Sequence, residues 1–447
     1  MLREWYGSEF AIFKIQDKSK VTAELSTILQ QSPEKRKPIM DYLKNMINQL
    51  IQKKMTGFTM LHDAMLQYFL NTTPGSEEAA AFLQLITPTP AVNKEQKEEA
   101  EYEPEIDLLK NLAFTASGSR VVCLAFAYSS AKDRKHMLRA YKDTIELLAY
   151  DQFAHRVLLT VYDVFDDTRQ VITSVFNELL GREGGASQQE KVSALAIHQY
   201  GRVSILYPFA GTAKWLLPDM DLARIEEVHK IRETTSKKNP ETRRMELVKA
   251  LSPICLETIS TGAEELIQSS FGCQFITEVL LSADGDKTAA AEGVAEFAKG
   301  DPNEEGHIAQ SPSAGRMLKT LVAGGKFDPK AKTIKLAESP LPFANCLYQA
   351  IKDHVVDWAC GTSSLVVVNM LEAEGFDFKD EMLKILRKEK KRLQKAADEV
   401  LIFQPKENEK KEQKDEEGKG RRKKQEPKER EPKKRSNVGA KALLEKL

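Results

Sequence analysis

The sequence has 447 residues, 41% of them hydrophobic, and its 66 basic and 66 acidic side chains give a formal net charge of zero. This apolar content is enough for a large core and excludes a wholly disordered chain. No run of about 18 consecutive apolar residues occurs, so the sequence lacks a membrane-spanning pattern and we expect no membrane partner.

The zero net charge averages over blocks of opposite sign. Residues 94–107 are acidic, whereas residues 230–244 and 419–435 are basic. The total charge therefore does not exclude a polyanionic partner such as nucleic acid. Both basic segments are poor in apolar residues, which predicts mobile arms or loops. The second segment also has the composition of a nuclear or nucleolar localisation signal.

Helical spacing of apolar residues begins near the N-terminus. It predicts helices over residues 21–31, 37–54 and 59–70, with prolines between the first two. Ser76, which two glutamates follow, is a typical N-cap and predicts that another helix begins there.

The central stretch, residues 117–180, contains one pattern twice. Gly118 and Ala154 are 36 residues apart, and each opens an apolar helix with an arginine two residues later. A polar turn and a second helix follow in both copies, and the spacings Ser130 to Asp133 and Asp167 to Gln170 predict capped helix starts. A fixed period of this size predicts an α-helical repeat array.

Beyond Gly201 the pattern continues at wider spacing, which indicates insertions. The largest insertion is a long basic loop predicted at residues 219–244, and helical periodicity resumes over residues 245–259 and 264–281. After residue 392 lysine and glutamate dominate until Val438, where we expect a short apolar helix to dock back and cap the end of the array.

No set of residues predicts catalysis, a metal or a cofactor. The histidines share no spacing with one another, with cysteines or with acids that would form a zinc site or a catalytic group. Asp163, Asp166 and Asp167 are an alternative set of metal ligands, but capping and the helix dipole already account for acids at a helix start. Five cysteines in apolar runs without a CxxC pair predict buried thiols in a reducing compartment: Cys123, Cys255, Cys273, Cys346 and Cys360. We predict that the protein is not an enzyme.

Several blocks of the sequence resemble a known family. GSRVVCLAFAYSSAKDRK, YDQFAHRVLLTVYDVFDDTR and QYGRVSILYPF resemble consecutive Pumilio (Puf) repeats, and RVLLTVYDVFDDT in particular resembles the Puf-A class of nucleolar Pumilio-like proteins. FGCQFITEVLLSADGD, GHIAQSPSAGRMLKTLV, VDWACGTSSLVVVNML and VGAKALLEKL resemble the CPL region and closing repeats of that class.

The resemblance implies an architecture for the whole chain. It implies an all-α, Pumilio-like (armadillo-type) helical repeat solenoid over residues 1–402, with a CPL region at about residues 200–345. A charged disordered segment at residues 403–436 and a closing helix at residues 437–447 would follow. We also expect upstream repeats to be missing, because the aromatic stretch in the first 20 residues looks like the end of one.

The resemblance also implies where nucleic acid would be contacted. In Pumilio repeats that recognise sequence, the second helix of each unit presents two base-contacting side chains four residues apart with a stacking side chain between them. At such positions Leu159, Leu206 and Val368 cannot hydrogen-bond a base, and arginine or aliphatic side chains replace stacking aromatics. The predicted RNA-binding residues are Ser119, Arg120, His155, Arg156, Arg202, Gln274, Arg316 and Lys319.

Each predicted contact has a structural alternative. An arginine that follows a small residue at a helix start is equally typical of a solvated face, and for His155 a hydrogen-bonded structural histidine is the stronger interpretation.

The expected function is binding of RNA or duplex nucleic acid by shape and charge, with little base recognition, because arginine contacts to phosphate do not specify sequence. The resemblance implies a nucleolar setting in rRNA processing and maturation of the large ribosomal subunit, with translational control of mRNA as a related role. Partners would then be rRNA or mRNA, duplex DNA, pre-ribosomal particles and ribosomal proteins, and we expect a monomer. A helical-repeat scaffold for protein partners is the alternative.

Overall fold

The structure, a computed structural model, describes residues 2–10, 21–88, 104–181, 186–328, 331–339, 341–403 and 433–447. The chain divides into two compact units. Unit 1 comprises Met1–Thr258 with Ala283–Gly285, and unit 2 comprises Ile259–Ser282 with Asp286–Leu447. In these described ranges no helix is both long and apolar enough to cross a bilayer.

Unit 1 is built from helices joined by short turns. They are α1 (Leu25–Gln31), α2 (Arg36–Gln52), α3 (Thr59–Leu70), α4 (Glu77–Ile86), α5 (Pro104–Ala113), α6 (Ala116–Tyr128), α7 (Ala131–Ala140), α8 (Ile145–Tyr150), α9 (His155–Val164), α10 (Thr168–Val171), α11 (Asn177–Leu180), α12 (Ala186–Ile197), α13 (Gly201–Ala210), α14 (Asp219–Thr235) and α15 (Pro240–Gln268). A π-helical turn, Ile172–Phe176, joins α10 to α11, and 3-10 turns occupy Leu2–Tyr6, Ser8–Phe10 and Pro33–Lys35. The helices α3, α6, α9 and α13 pack in succession, as repeats stack.

Unit 2 continues the same architecture and adds two small hairpins. Its helices are the end of α15, which bends at Gly262, then α16 (Ser270–Ser282), α17 (Thr288–Glu296), α18 (Pro312–Val322), α19 (Phe343–Ile351), α20 (Val355–Cys360), α21 (Ser364–Glu372), α22 (Lys379–Lys388), α23 (Lys390–Asp398) and α24 (Val438–Lys446). Its 3-10 turns are Ile308–Gln310 and Lys352–His354. Strand β1 (Gly325–Asp328) pairs antiparallel with β2 (Thr333–Leu336), and β3 (Val400–Phe403) with β4 (Lys433–Ser436).

The predicted all-α helical repeat class is confirmed, and so are the predicted helix starts. The Ser130 hydroxyl accepts the Asp133 amide at 3.3 Å, and the Asp167 carboxylate accepts the Gln170 amide at 3.3 Å. Ser76 caps α4 in the same way. The polar turns therefore satisfy helix amides that would otherwise lack partners.

One expectation about a charged segment is wrong, and a second stays a prediction over most of its length. Residues 219–244, predicted as a long basic loop, instead form α14, a short connection and the first turn of α15, and their charges pair with Arg120 on α6 and with Asp166 in the turn after α9. The segment 403–436 is not irregular at its ends, where β3 and β4 pair. The interior of that predicted disordered segment, residues 404–432, lies outside the described residues.

The last helix, α24, closes unit 2. It packs against α21 and α23, with Ala440 and Leu443 fully buried. The Asn437 side chain caps the helix by accepting the Ala440 amide at 3.0 Å and also accepts the Ser364 hydroxyl at 2.7 Å. The helix thus covers apolar surface that the last repeat would otherwise expose.

The small residues that open the repeat helices are required by a close backbone approach. A Cβ atom added at Gly118 would lie 2.2 Å from the carbonyl oxygen of Leu112, and one at Gly272 would lie 2.1 Å from that of Leu266. Both leucines are fully buried, so the helix that follows must pass directly over the end of the helix before it. Glycine permits this approach because it has no Cβ.

We therefore predict that Gly118→Ala destabilises the protein by about 2 kcal/mol, as overpacking does, although alanine is the better helix former by about 1 kcal/mol. Chemical denaturation of the full chain would measure the change. Gly57→Ala is the matched control, because nothing lies within 4 Å of an added Cβ there. Equal unfolding free energies for the two variants would contradict the close-approach explanation.

Candidate nucleic-acid interface

In unit 1 the predicted contact positions lie under α14. This helix packs on both α6 and α9, the helices that carry Ser119, Arg120, His155 and Arg156. Its apolar anchors, Ile225 and Val228, are each 1% exposed. A segment expected to be a mobile arm is therefore a fixed part of the candidate surface.

Arg120 is held by a carboxylate of α14. Its Nε and Nη2 donate to the two carboxylate oxygens of Glu227 at 3.0 and 2.8 Å. Such bidentate pairs fix both side chains and occupy the guanidinium N–H groups that would otherwise bind a phosphate. The neighbouring Ser119 is buried, and its hydroxyl donates to the carbonyl oxygen of Ala116 at 3.3 Å.

Arg156 and His155 converge on a second carboxylate of α14. Arg156 Nε lies 2.5 Å from Asp221 Oδ1, and His155 Nε2 lies 3.4 Å from Asp221 Oδ2. The other ring nitrogen of His155 donates to the Asp151 carbonyl oxygen at 2.9 Å, and Tyr200 stacks on the ring. Burial by itself raises the pKa of Asp221, but the hydrogen bond from His155 and the charge of Arg156 outweigh it, so that pKa is lowered overall.

The expectation that Arg120 and Arg156 lie open to solvent is thus wrong, since only 19% and 13% of their side chains are exposed. His155, which is 1% exposed, has the buried and hydrogen-bonded geometry of its structural alternative. Arg202 on α13 is also buried, at 8% exposure. That these residues contact RNA stays a prediction, and for Arg120, His155 and Arg156 it now requires α14 to move.

Unit 2 presents its predicted residues differently. Arg316 and Lys319, both on α18, are exposed, and in the part of the chain that the structure describes neither forms an ion pair. The Arg316 guanidinium donates to the nearby Ser313 hydroxyl, at 3.2 Å. Gln274 is half-buried on α16, which packs against α18. These two cations remain accessible to a phosphate.

Asp163, Asp166 and Asp167, the alternative metal ligands, instead accept hydrogen bonds from other groups of the protein. Asp163 accepts hydrogen bonds from the Tyr207 hydroxyl at 2.7 Å, His229 at 2.9 Å and Arg232 at 2.8 Å. Asp166 accepts from the backbone amides of residues 237 and 238 and from the Ser236 hydroxyl. Among the described residues, no group of three or more histidine, cysteine or acidic side chains is arranged to hold a metal ion.

Two arginines that the sequence analysis missed fix the ends of the repeat helices. Arg134 donates to the carbonyl oxygens of Phe126, Ala127 and Val164 at 2.6 to 2.8 Å. Burial lowers its pKa to about 10. Arg243 makes the equivalent contact to the Phe165 carbonyl oxygen at 2.9 Å. Cationic donors suit helix C-termini, where carbonyl groups lack partners.

A basic stripe on α7 was missed as well. Lys132, Lys135 and Arg139 are exposed and spaced three and four residues apart, so they share one helix face, and exposed Lys142 follows in the next turn. No ion pair involves these four cations within the described ranges. Their helical spacing was visible in the sequence, but the repeat pattern drew attention to the apolar helices instead.

Comparison with known proteins gives one family match and a group of relatives. Residues 197–333 match the CPL (NUC119) domain. "Pumilio homology domain family member 6" of Schizosaccharomyces pombe is 31% identical over 398 residues, which is 89% of this chain and 57% of that protein. The protein of the same name in Saccharomyces cerevisiae is 29% identical over 83% of this chain and 54% of its own length. Human Pumilio homolog 3 is 27% identical over 73% of this chain and 46% of its own length.

The chain spans about half the length of the curated relatives that it matches. Among solved structures, human Puf-A in complex with DNA aligns with 88% of this chain and 70% of its own, with a TM-score of 0.70 and 21% identity. At this identity the likeness shows the fold alone. Human Puf-A without nucleic acid gives a TM-score of 0.68.

We predict that Asp221→Ala destabilises unit 1 by about 3 to 5 kcal/mol, because it leaves Arg156 and His155 buried without their carboxylate. The midpoint of urea unfolding would measure the loss. Glu226→Ala removes an exposed carboxylate from the same helix and should change the free energy of unfolding by less than about 0.5 kcal/mol. Similar midpoints for the two variants would show that the Asp221 cluster does not hold α14.

The carboxyl group of Asp166 should make stability depend on pH. Burial raises its pKa, but hydrogen bonds from Ser236, the amides of residues 237 and 238, and Arg243 lower it further, well below the usual value. Its stabilisation is therefore full above the unfolded-state pKa of about 3.9 and is lost as the pH falls toward the folded-state pKa. The stability advantage of the wild type over Asp166→Asn should shrink below about pH 4. Urea unfolding at pH 7, 5, 4 and 3.5 would measure it, and a constant difference would contradict the assignment.

Proposed function

Because this chain is a Puf-A-like Pumilio protein that carries a CPL domain, we propose that it binds RNA and DNA mainly through phosphate contacts. The names of its relatives and the crystallisation of human Puf-A with DNA support a nucleic-acid ligand. The proposal concerns the whole chain and names no sequence preference.

The observation that carries this proposal is the basic stripe on α7. Lys132, Lys135 and Arg139 are exposed on one side of α7, and Lys142 is exposed in the turn that follows it. A helix rises about 1.5 Å per residue, so the three cations on α7 extend over about 10 Å and can meet successive phosphates of one strand. Such contacts release counterions and bind every sequence alike.

The base-contacting positions support the lack of sequence recognition. Cys123, Leu159 and Leu206 are all buried, and none offers an exposed hydrogen-bonding group to a base edge. Burial raises the pKa of the Cys123 thiol to about 11, which keeps it uncharged. In unit 2 Arg316 and Lys319 supply further exposed charge on α18.

The cellular role that we propose follows from the same family. The chain would act in the nucleolus on rRNA, during processing and assembly of the large ribosomal subunit, together with pre-ribosomal particles and ribosomal proteins. Translational control of mRNA is a related role, and duplex DNA is a further ligand. We propose that the protein acts as a monomer and without catalysis. The basic segment at residues 419–435 supports both nucleolar localisation and additional non-specific affinity for nucleic acid.

A scaffold for protein partners is the second candidate, and one observation favours it. The face of α6 and α9, where sequence-reading relatives of this fold class would place bases, already holds a helix of the protein itself. A surface that accepts one amphipathic helix is suited to helix recognition.

We predict that the triple variant Lys132→Glu, Lys135→Glu and Arg139→Glu binds scrambled single-stranded RNA at least about tenfold more weakly, equally for all sequences. The slope of log affinity against log salt concentration should decrease in magnitude by about 2, since three phosphate contacts are lost. Fluorescence anisotropy across a salt series, with single-stranded and duplex ligands, would measure both quantities.

The control has the same charge change on α2 and the residue after it: Lys37→Glu, Lys44→Glu and Lys53→Glu, all at exposed positions. An equal loss in this control would show that net charge, and not the α7 stripe, determines binding. No affinity of the wild type for any nucleic acid at low salt would favour the protein scaffold instead.

A further inference from the structure

The β1–β2 hairpin of unit 2 exposes an apolar face. Phe327 lies directly opposite Ile334, and Gly325 lies opposite Leu336, so these residues share one side of the hairpin. The side chains of Phe327, Ile334 and Leu336 are 63%, 41% and 50% exposed, and Gly325 offers no side chain to cover Leu336. Large apolar groups clustered in this way are typical of interaction surfaces.

The opposite face of the hairpin is fixed to the helices of unit 2. The Lys326 ammonium group lies 2.6 Å from both carboxylate oxygens of Glu278 on α16, and the Glu278 side chain is only 2% exposed. Because neighbouring residues of a strand point to opposite faces, this ion pair directs Phe327 away from α16. The apolar face is thus held outward by a specific contact.

One edge of the hairpin lacks a further strand in the described residues. The sheet has two strands, β1 contacts α18, and all four residues of β2 are exposed. Alternate amide and carbonyl groups of an outer strand point away from its partner, so β2 offers backbone donors and acceptors to an added strand.

The lysines of the hairpin favour an added strand that carries acidic residues. Lys335 lies directly opposite Lys326, and like charges in this position destabilise a strand pair. Glu278 compensates Lys326, whereas Lys335 has no ion pair within the described ranges. An acidic residue on a strand beside β2 would supply that missing counter-charge.

We propose that β2 is a strand-addition site for an extended segment of a partner protein in which apolar and acidic residues alternate. The backbone of the segment bonds the free edge of β2. Its apolar residues pack beside Ile334 and Leu336, and its acidic residues face Lys335. This surface lies in unit 2, whereas the α7 stripe lies in unit 1.

The test uses the full chain and fluorescent seven-residue peptides. One peptide alternates valine and glutamate, a second alternates valine and lysine, and a third has the valines and glutamates in two blocks. We expect the valine–glutamate peptide to bind at least about tenfold more tightly than the other two, because only it matches both faces of β2. Hydrogen–deuterium exchange should show its protection at residues 333–336.

A charge swap makes the test specific. Lys335→Glu changes an exposed side chain, so it should leave the fold intact, and it should reverse the preference toward the valine–lysine peptide. Lys384→Glu, the same change at an exposed position on α22, should leave peptide binding unaltered. The proposal is overturned if the valine–glutamate peptide does not bind, if protection lies outside β2, if Lys335→Glu does not reverse the preference, or if scrambled RNA displaces the peptide competitively.

Discussion

The ion pairs between α14 and the repeat helices are the interaction on which unit 1 depends. Asp221 compensates Arg156, and Glu227 compensates Arg120, so charges that would be costly to bury are each matched by a partner. The charged face of α14 and the charged face of α6 and α9 can be buried only against each other. An insertion that resembles a solvated loop in composition is therefore part of the packed structure.

This arrangement changes what the repeats can do. In a repeat that recognises sequence, the face of the second helix must be open and must present hydrogen-bonding side chains. Here that face carries apolar residues at base-contacting positions, and its arginines are directed at carboxylates of the chain itself. Exposed cations lie on α7 in unit 1 and, at predicted contact positions, on α18 in unit 2.

Buried arginines show how the same residue type can serve opposite roles. Arg134 and Arg243 close the ends of repeat helices by donating to carbonyl groups, whereas Lys132 and Arg139, on the same helix as Arg134, face solvent. One turn of helix thus separates a structural cation from a ligand-accessible one. Counting basic residues in a segment cannot distinguish the two, because the distinction is made by which helix face is covered.

The sequence by itself determined the repeat class and the helix starts, because periodicity and capping act over a few residues. It also located the positions equivalent to a base-contacting face. Only the tertiary structure decided that Arg120 and Arg156 are covered, since their partners Glu227 and Asp221 are far away in the chain and the segment that carries them has no strong apolar pattern. Charge pairing over such separations follows from how the helices pack, and packing leaves no local signal in the sequence.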